Sequence, residues 1–525
     1  MLASNVFVYM RTMSEKPEKK RRGAAMDLTH GYPLKCILLF TLPIILGIFV
    51  QQLYSLVDTV IVGQAIGAAA LTGVGATGSL SFMILGFVSG LSGGFSVIIS
   101  QRRGANDDEG IKKSFATGII LTLLLVSVLT VVALVITKPM LTAMRTKTEF
   151  FDYSVDYITT IFGGMLLSAF SNLFGSTLRA IGDSKVPLYF LIFSCFLNAG
   201  MDCLFVMCFG MGVRGAALAT VLANGLTAAA TFVYLWVRYP VLRFKPKHFK
   251  PNLKNYGAHL RLGLPMALQM SIVSIGMIFG QTALNTMEPT AVTAYVAATR
   301  IDGIASGILV NSASALSVFV GQNYGAERYD RIKSGVKQFT LLAVGVSVLL
   351  CGLVVALNRP LVMMFISRAD RSEKLFSYAL RYTLCNGGFY ILLSTLCICR
   401  SSLQGMGRGT VALFSAAMEV AMRVGVSLIA IHYKSFTIVC LNNCFSWLGA
   451  NSVLVPAFLL VLKKYIPLFG KAKTNTATEH DRLSNPETVI ETEQLSETAA
   501  SLDFDLSITD HNNSEISEDF FETEK

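Results

Sequence analysis

The sequence predicts an all-α integral membrane protein of about twelve transmembrane helices, arranged as two parallel six-helix repeats. Three observations carry that prediction. Charged residues make up 15% of the 525 residues and hydrophobic ones 53%, with a mean hydropathy of +0.57. A soluble domain carries about 25% charged residues, and a surface that faces lipid explains the deficit. Apolar stretches recur at about 20 residues, the length that crosses roughly 30 Å of hydrocarbon. Finally, short motifs of the first half return in the second at a nearly constant distance.

Residues 1–32 are polar and basic, with Lys16, Lys19, Lys20, Arg21 and Arg22. Such a cluster holds the start of a first span in the cytoplasm. Residues 1–22 lack the ordered charged, apolar and small-residue regions of a cleavable signal. Apolar spans are expected near 34–62, 70–100, 113–137, 151–178, 187–210 and 214–237. Six more are expected near 259–285, 290–320, 335–357, 376–402, 410–432 and 436–462. The chain thus divides into a first lobe (33–238), a basic cytoplasmic linker (239–257) and a second lobe (258–465).

Alternate loops carry Arg102, Arg103, Lys112 and Lys113, then Lys185, the linker, Arg328, Arg331 and Lys333, Arg408, and Lys463 with Lys464. By the positive-inside rule these loops face the cytoplasm. An even number of spans puts both termini there, and the expected membrane is the plasma membrane. Residues 466–525 are acidic and rich in Ser, Thr and Asn. They bury too little apolar area to fold and are expected to be a disordered cytoplasmic tail. The net charge of +11 lies in short loops between spans, which argues against nucleic acid as a partner.

The repeat is explicit. ISQRRGA at 99–105 returns as VGQNYGA at 320–326, and Lys138-Pro139 returns as Arg359-Pro360, both 221 residues on. Leu42-Pro43 returns as Leu264-Pro265 after 222, and STLRAIG at 176–182 as SSLQGMG at 401–407 after 225. With six spans each, both halves enter from the same side, and the substrate path lies between them. The acids break this symmetry: Asp58 corresponds to Gly280, Asp202 to Ser427, and Glu419 to Ser194.

Those acids are the candidate site. A carboxylate inside a span is expensive, so it faces a partner or a watery cavity. Gln51, Ser55, Asp58 and Thr59 form one polar stripe on the first span. Ser194, Asn198 and Asp202 share a face of the fifth, and Thr220, Asn224 and Thr227 a face of the sixth. Two carboxylates close together in low dielectric cannot both stay ionised cheaply, so the set suits exchange of a proton or a cation. The oxygen ligands of Asp58, Asn198, Asp202 and Thr220 also suit a hard ion such as Na⁺. A static polar knot between helices is the bland alternative. In the second lobe, Glu419 and Arg423 stand one turn apart, as a self-neutralising pair or as cavity residues. Asp302, near Arg300 on the eighth span, is read as a cavity residue or as lying near the membrane surface. Gln51, Ser55, Gln269, Gln281 and Asn285 join Glu419 and Arg423 as candidate cavity-lining groups. Cysteines lie mostly within apolar spans and read as small apolar filler. No catalytic or phosphate-binding constellation stands out, so an enzyme is not expected.

Several motifs recur in order over residues 30–465. They are Leu42-Pro43 with VDTVIVG at 57–63, SQRRGA at 100–105, LRAIGDSKVP at 178–187, and NAGMDCLFV at 198–206 with GVRGAALAT at 212–220. In the second half they are GLP at 263–265, VGQNYGA at 320–326, and LQGMGR at 403–408 with Glu419 and Arg423. Together they resemble the MATE family, the multidrug and toxic compound extrusion transporters. The resemblance implies two six-helix bundles around a V-shaped cavity. It also implies alternating access and export of organic cations or other amphipathic compounds against inward H⁺ or Na⁺. Asp58, Asn198, Asp202 and Thr220 match the positions used by the bacterial DNA-damage-inducible-like branch. The NorM-like pattern has a Glu on the seventh helix and an Asp on the tenth, where this chain shows GLPMALQMSIVSIGM and GGFYILLSTL. Coupling is therefore expected in the first lobe. No cofactor is expected, and the partners are a small substrate and membrane lipid. A monomer suffices, because the chain encloses its own path. The alternative is a lipid-linked oligosaccharide flippase of the same superfamily, against which few mid-span Arg or Lys count.

Overall fold

The computed structural model describes residues 25–144, 146–250, 252–366 and 371–483. The basic cluster at 16–22 and the acidic chain from 484 lie outside the described residues. The first half consists of α1 (Pro33–Ala65), α2 (Ala68–Ala76), α3 (Gly78–Gly104), α4 (Asp108–Ala143), α5 (Thr148–Gly163), α6 (Met165–Ala180), α7 (Lys185–Asp202) and α8 (Gly212–Arg238). The second consists of α9 (Leu253–Leu284), α10 (Pro289–Gly325), α11 (Tyr329–Ala356), α12 (Asn358–Met363), α13 (Glu373–Gly388), α14 (Tyr390–Gly405), α15 (Gly409–Tyr433) and α16 (Phe436–Leu483). Among the described residues 10 helices are long and apolar enough to cross a membrane, and 12 spans result if α5/α6 and α13/α14 are each one bent span.

Local chemistry sets the helix ends. Pro33 opens α1, where its missing N–H costs nothing. Asp107 caps α4 by accepting the Gly110 N–H at 2.7 Å. Arg102 and Arg103 end α3, where cations suit the helix dipole. Three boundaries differ from expectation. The second span is broken at Thr77, so α2 is a separate helix and the membrane-length segment begins at Gly78. Asn252 caps α9 with its side chain, so the second lobe starts its first helix at Leu253 rather than 258. The last helix runs on to Leu483, past the expected edge at 465. The described residues from 25 to 462 form one compact unit.

The backbone repeats as the motifs do. The bends fall at Gly164 and Phe389, 225 residues apart, at 51° and 42°. Asn106 and Glu327, 221 apart, both take positive φ, and so do Gly182 and Gly407, 225 apart. Each half has its own core, around Phe115, Phe162 and Leu173 in the first and around Phe319, Tyr382 and Tyr390 in the second. The opening helix of each half crosses over. Ile37 and Phe40 of α1 join the second core, and Ala267 of α9 joins the first. Val128, Val131 and Val135 on α4, and Leu341, Val348 and Leu349 on α11, stay exposed as a lipid-facing surface requires.

The two bundles meet at the end that carries the basic loops. Two glycines make the meeting possible. A Cβ on Gly104 would strike the Gln322 carbonyl, and one on Gly325 would strike the Gln101 carbonyl. These contacts are the two copies of one motif facing each other. The Gln101 amide donates to the Gly405 carbonyl at 2.8 Å, and the Gln322 amide to the Ala180 carbonyl at 2.9 Å. Residues 25–32 form a strap over this junction. The Met26 N–H reaches Gly182 of the first lobe at 2.9 Å. The Leu28 N–H donates to Gln322 at 3.2 Å, and its carbonyl accepts from Asn323 at 3.1 Å. Arg328 and Arg331 hold the Thr29 and Gly31 carbonyls at 2.8 and 2.6 Å. Burial opposes ionisation of Asp27, but the Thr29 hydroxyl and amide and the His30 ring hold its carboxyl below the usual value.

Candidate functional site

Four helices of the first lobe build the site. On α1 the Gln51, Ser55 and Thr59 side chains are exposed and Asp58 is half-buried. The Thr59 hydroxyl donates to the Ser55 carbonyl at 2.6 Å, so it is committed to its own helix. Helix α7 carries Ser194, Asn198 and Asp202, all buried. Asp202 ends that helix where the backbone widens into a π-turn at Cys203–Cys208, a device that often re-aims side chains at functional sites. Helix α8 supplies Thr220, eight residues from its start at Gly212, or roughly 12 Å at 1.5 Å per residue. The site therefore lies nearer the end opposite the basic loops.

The contacts tie these residues together. In the amide orientation that satisfies its neighbours, Asn198 donates to Asp202 Oδ2 at 3.0 Å and accepts the Thr220 N–H at 3.2 Å. The Tyr54 hydroxyl donates to the Thr220 hydroxyl at 3.4 Å. Asp58 and Asp202 lie within electrostatic reach of each other, and Tyr157 of α5 within reach of both. Asp58 Oδ1 and Asp202 Oδ1 are buried with no hydrogen-bond partner. Neither acid pairs with a Lys or Arg among the described residues. A buried carboxylate without a counter-charge is costly, so this arrangement has room for a positive charge and a reason to take one.

The structure brings Asp58, Asn198, Asp202 and Thr220 together, and adds Tyr54 and Tyr157. Tyr54 was readable, since it precedes Asp58 by one turn. Tyr157 comes from a helix whose sequence gave no polar stripe. Asn224 does not join the set: its amide donates to Ser168 at 3.2 Å. Thr227 is buried with its hydroxyl unpartnered.

The second-lobe candidates separate. Gln269 is buried and accepts from Gln404 at 2.9 Å, which removes it from the cavity lining. Gln281 and Asn285 bond to each other at 2.9 Å and stay exposed at the end of α9. Glu419 is buried between Arg400 at 2.9 Å and Arg423 at 3.6 Å. The expected pair is thus a triad, and Arg400 was missed because it stands on a different helix, α14. Asp302 sits within the span, not at its surface edge, and accepts from the Tyr390 and Tyr382 hydroxyls at 2.8 and 3.4 Å.

Comparison with known proteins bears on this arrangement. The model of the MatE family matches residues 43–204 and 265–429. A probable multidrug resistance protein of Bacillus subtilis (strain 168), YoeA, is 26% identical over 437 residues, 81% of this chain and 92% of its own length. A second from the same organism, the probable multidrug resistance protein YpnP, is 28% identical over 308 residues, 59% of this chain and 69% of its own. A solved structure described as the outward-facing conformation of a multidrug resistance MATE family transporter of the MOP superfamily has a TM-score of 0.76. It is 24% identical and covers 86% of this chain and 99% of that one, a likeness of fold.

Proposed function

The chain belongs to the MatE family, and on that premise we propose that it is a secondary active antiporter. It exports drugs or other xenobiotics, organic cations among them, in exchange for H⁺ or Na⁺. The observation that carries this reading is the pair Asp58 and Asp202, each with a buried Oδ1 that has no hydrogen-bond partner and neither with a Lys or Arg counter-charge among the described residues. The multidrug resistance proteins it resembles supply the substrate class. The set Asp58, Asn198, Asp202 and Thr220, which matches the positions of the DNA-damage-inducible-like branch, supports a reading closer to that branch than to the NorM-like pattern. The basic end faces the cytoplasm with both termini, the membrane is the plasma membrane, and one chain with no cofactor completes the path.

The cycle follows from charge. With the basic end closed, the cavity opens outward and a cation reaches the first-lobe acids. It satisfies the unpartnered oxygens and lowers affinity for a cationic substrate, which leaves. Linkage makes this reciprocal, so the substrate must weaken the cation by the same factor. Opening the basic end then requires Gly104 and Gly325 to part from their partners and the strap to let go of one lobe.

Ethidium transport in expressing cells or inverted vesicles tests the reading, with ΔpH and ΔNa⁺ imposed separately. Transport is expected to follow one of the two gradients. An inserted, folded protein that moves ethidium with neither would contradict it and favour the flippase alternative.

A further inference from the structure

The first lobe holds its acids without a counter-cation, whereas Glu419 in the second lobe is neutralised by Arg400 and Arg423. One second-lobe acid escapes that pattern. Asp302 stands on α10, thirteen residues from Pro289, or roughly 20 Å into the span. It forms no ion pair among the described residues, and both its oxygens are taken by tyrosine hydroxyls, Oδ1 by Tyr390 and Oδ2 by Tyr382. The two tyrosines are almost fully buried on α13 and α14. Tyr295, two turns before Asp302 on α10, packs edge-on against Tyr382 with ring centroids 4.8 Å apart. Asp302 itself is partly covered.

The repeat adds a second, independent observation. Tyr382 and Tyr157 stand 225 residues apart, the same distance as the bends at Phe389 and Gly164. Tyr157 lies within electrostatic reach of Asp58 and Asp202 in the first lobe. Each lobe therefore has the equivalent tyrosine near an acid that forms no ion pair among the described residues, bonded to it in the second lobe and within electrostatic reach of it in the first. The second lobe has lost the positions of Asp58 and Asp202 to Gly280 and Ser427, and Asp302 enters from α10 in their place.

We propose that Asp302, held by Tyr382 and Tyr390, is a second proton-binding site, in the second lobe. This rests on the antiport reading and adds a site to it. On protonation the Asp302 hydroxyl donates to one tyrosine oxygen while that tyrosine turns its own proton away. The remaining groups around the site do not compensate it. They are Cys440 and Cys444 of α16 and Cys351 of α11. Arg423 of α15 is committed to Glu419 and to Ser446, the latter at 3.2 Å. Arg300, on the same helix as Asp302, is exposed.

The test counts protons. Purified protein in weakly buffered detergent is mixed with ethidium, and protons released per ethidium bound are measured for wild type, Asp302→Asn, Tyr390→Phe and Asp58→Asn. Wild type should release more protons than Asp302→Asn, with Asp302→Asn still binding ethidium at high pH. Tyr390→Phe should keep the release but move the pH at which it occurs. Infrared difference spectra between acid and alkaline pH should lose one protonated-carboxyl band in Asp302→Asn. Release and spectrum unchanged in Asp302→Asn would overturn the proposal and leave Asp302 as a structural tie. Unchanged behaviour of Asp58→Asn alongside a loss in Asp302→Asn would instead count against the first-lobe reading and sustain this one.

Discussion

Asp58→Asn is expected to abolish gradient-driven efflux while leaving the protein folded and inserted. Asparagine keeps the shape of the side chain and removes the charge. Asp58 Oδ1 is buried and unpartnered, so the wild-type side chain spends desolvation energy that only a bound cation recovers. Removing one partner from a buried charge pair costs about 3–5 kcal/mol. At about 1.4 kcal/mol per tenfold, cation affinity at the site falls by at least roughly a hundredfold. Vesicle transport should drop to the level of an empty control under either gradient. Thr59→Val, one residue on, is the comparison. Its hydroxyl bonds only to its own helix, and efflux should stay close to wild type.

Gly325→Val should be nearly as severe, for a different reason. The added side chain meets the backbone of Gln101, and backbone cannot swing aside as a flexible side chain can. Overpacking of this kind costs about 1–3 kcal/mol. That cost falls only on the state in which the basic end is closed, so it shifts the balance of states by roughly 5- to 150-fold. Efflux should fall by about that factor. Hydrogen exchange should rise at both 99–105 and 320–326, because the two motif copies close on each other. Gly345→Ala is the control, as nothing lies within 4 Å of its Cβ position. Its exchange and efflux should match wild type.

The spans were legible because lipid imposes one rule on every helix, about 20 apolar residues, and the repeat fixed their pairing. What hydropathy could not see were breaks inside apolar runs. Thr77, Gly164 and Phe389 are as compatible with a continuous helix as with a bend. The strap was invisible too. Residues 25–32 have no periodicity, and their order comes from Gln322, Asn323, Arg328 and Arg331 nearly 300 positions away.

In the site, helical spacing placed Asn198 and Asp202 on one face, which the structure keeps. The same spacing gave Thr220 and Asn224 equal standing, yet Asn224 turns to Ser168. A face of a helix is some 100° wide, and sequence does not say which edge of it meets a neighbour. Tyr157, Arg400 and the tyrosines on Asp302 were missed because each reaches its partner from another helix.

On the antiport reading, a cation and the substrate compete through the first-lobe acids. The most direct test is ethidium affinity of purified protein, measured by fluorescence anisotropy across pH and Na⁺ concentration for wild type, Asp58→Asn and Asp202→Asn. Affinity in wild type should fall as one of the two cations rises, and this dependence should be lost or sharply weakened in both variants. The same cation dependence in all three proteins would contradict it.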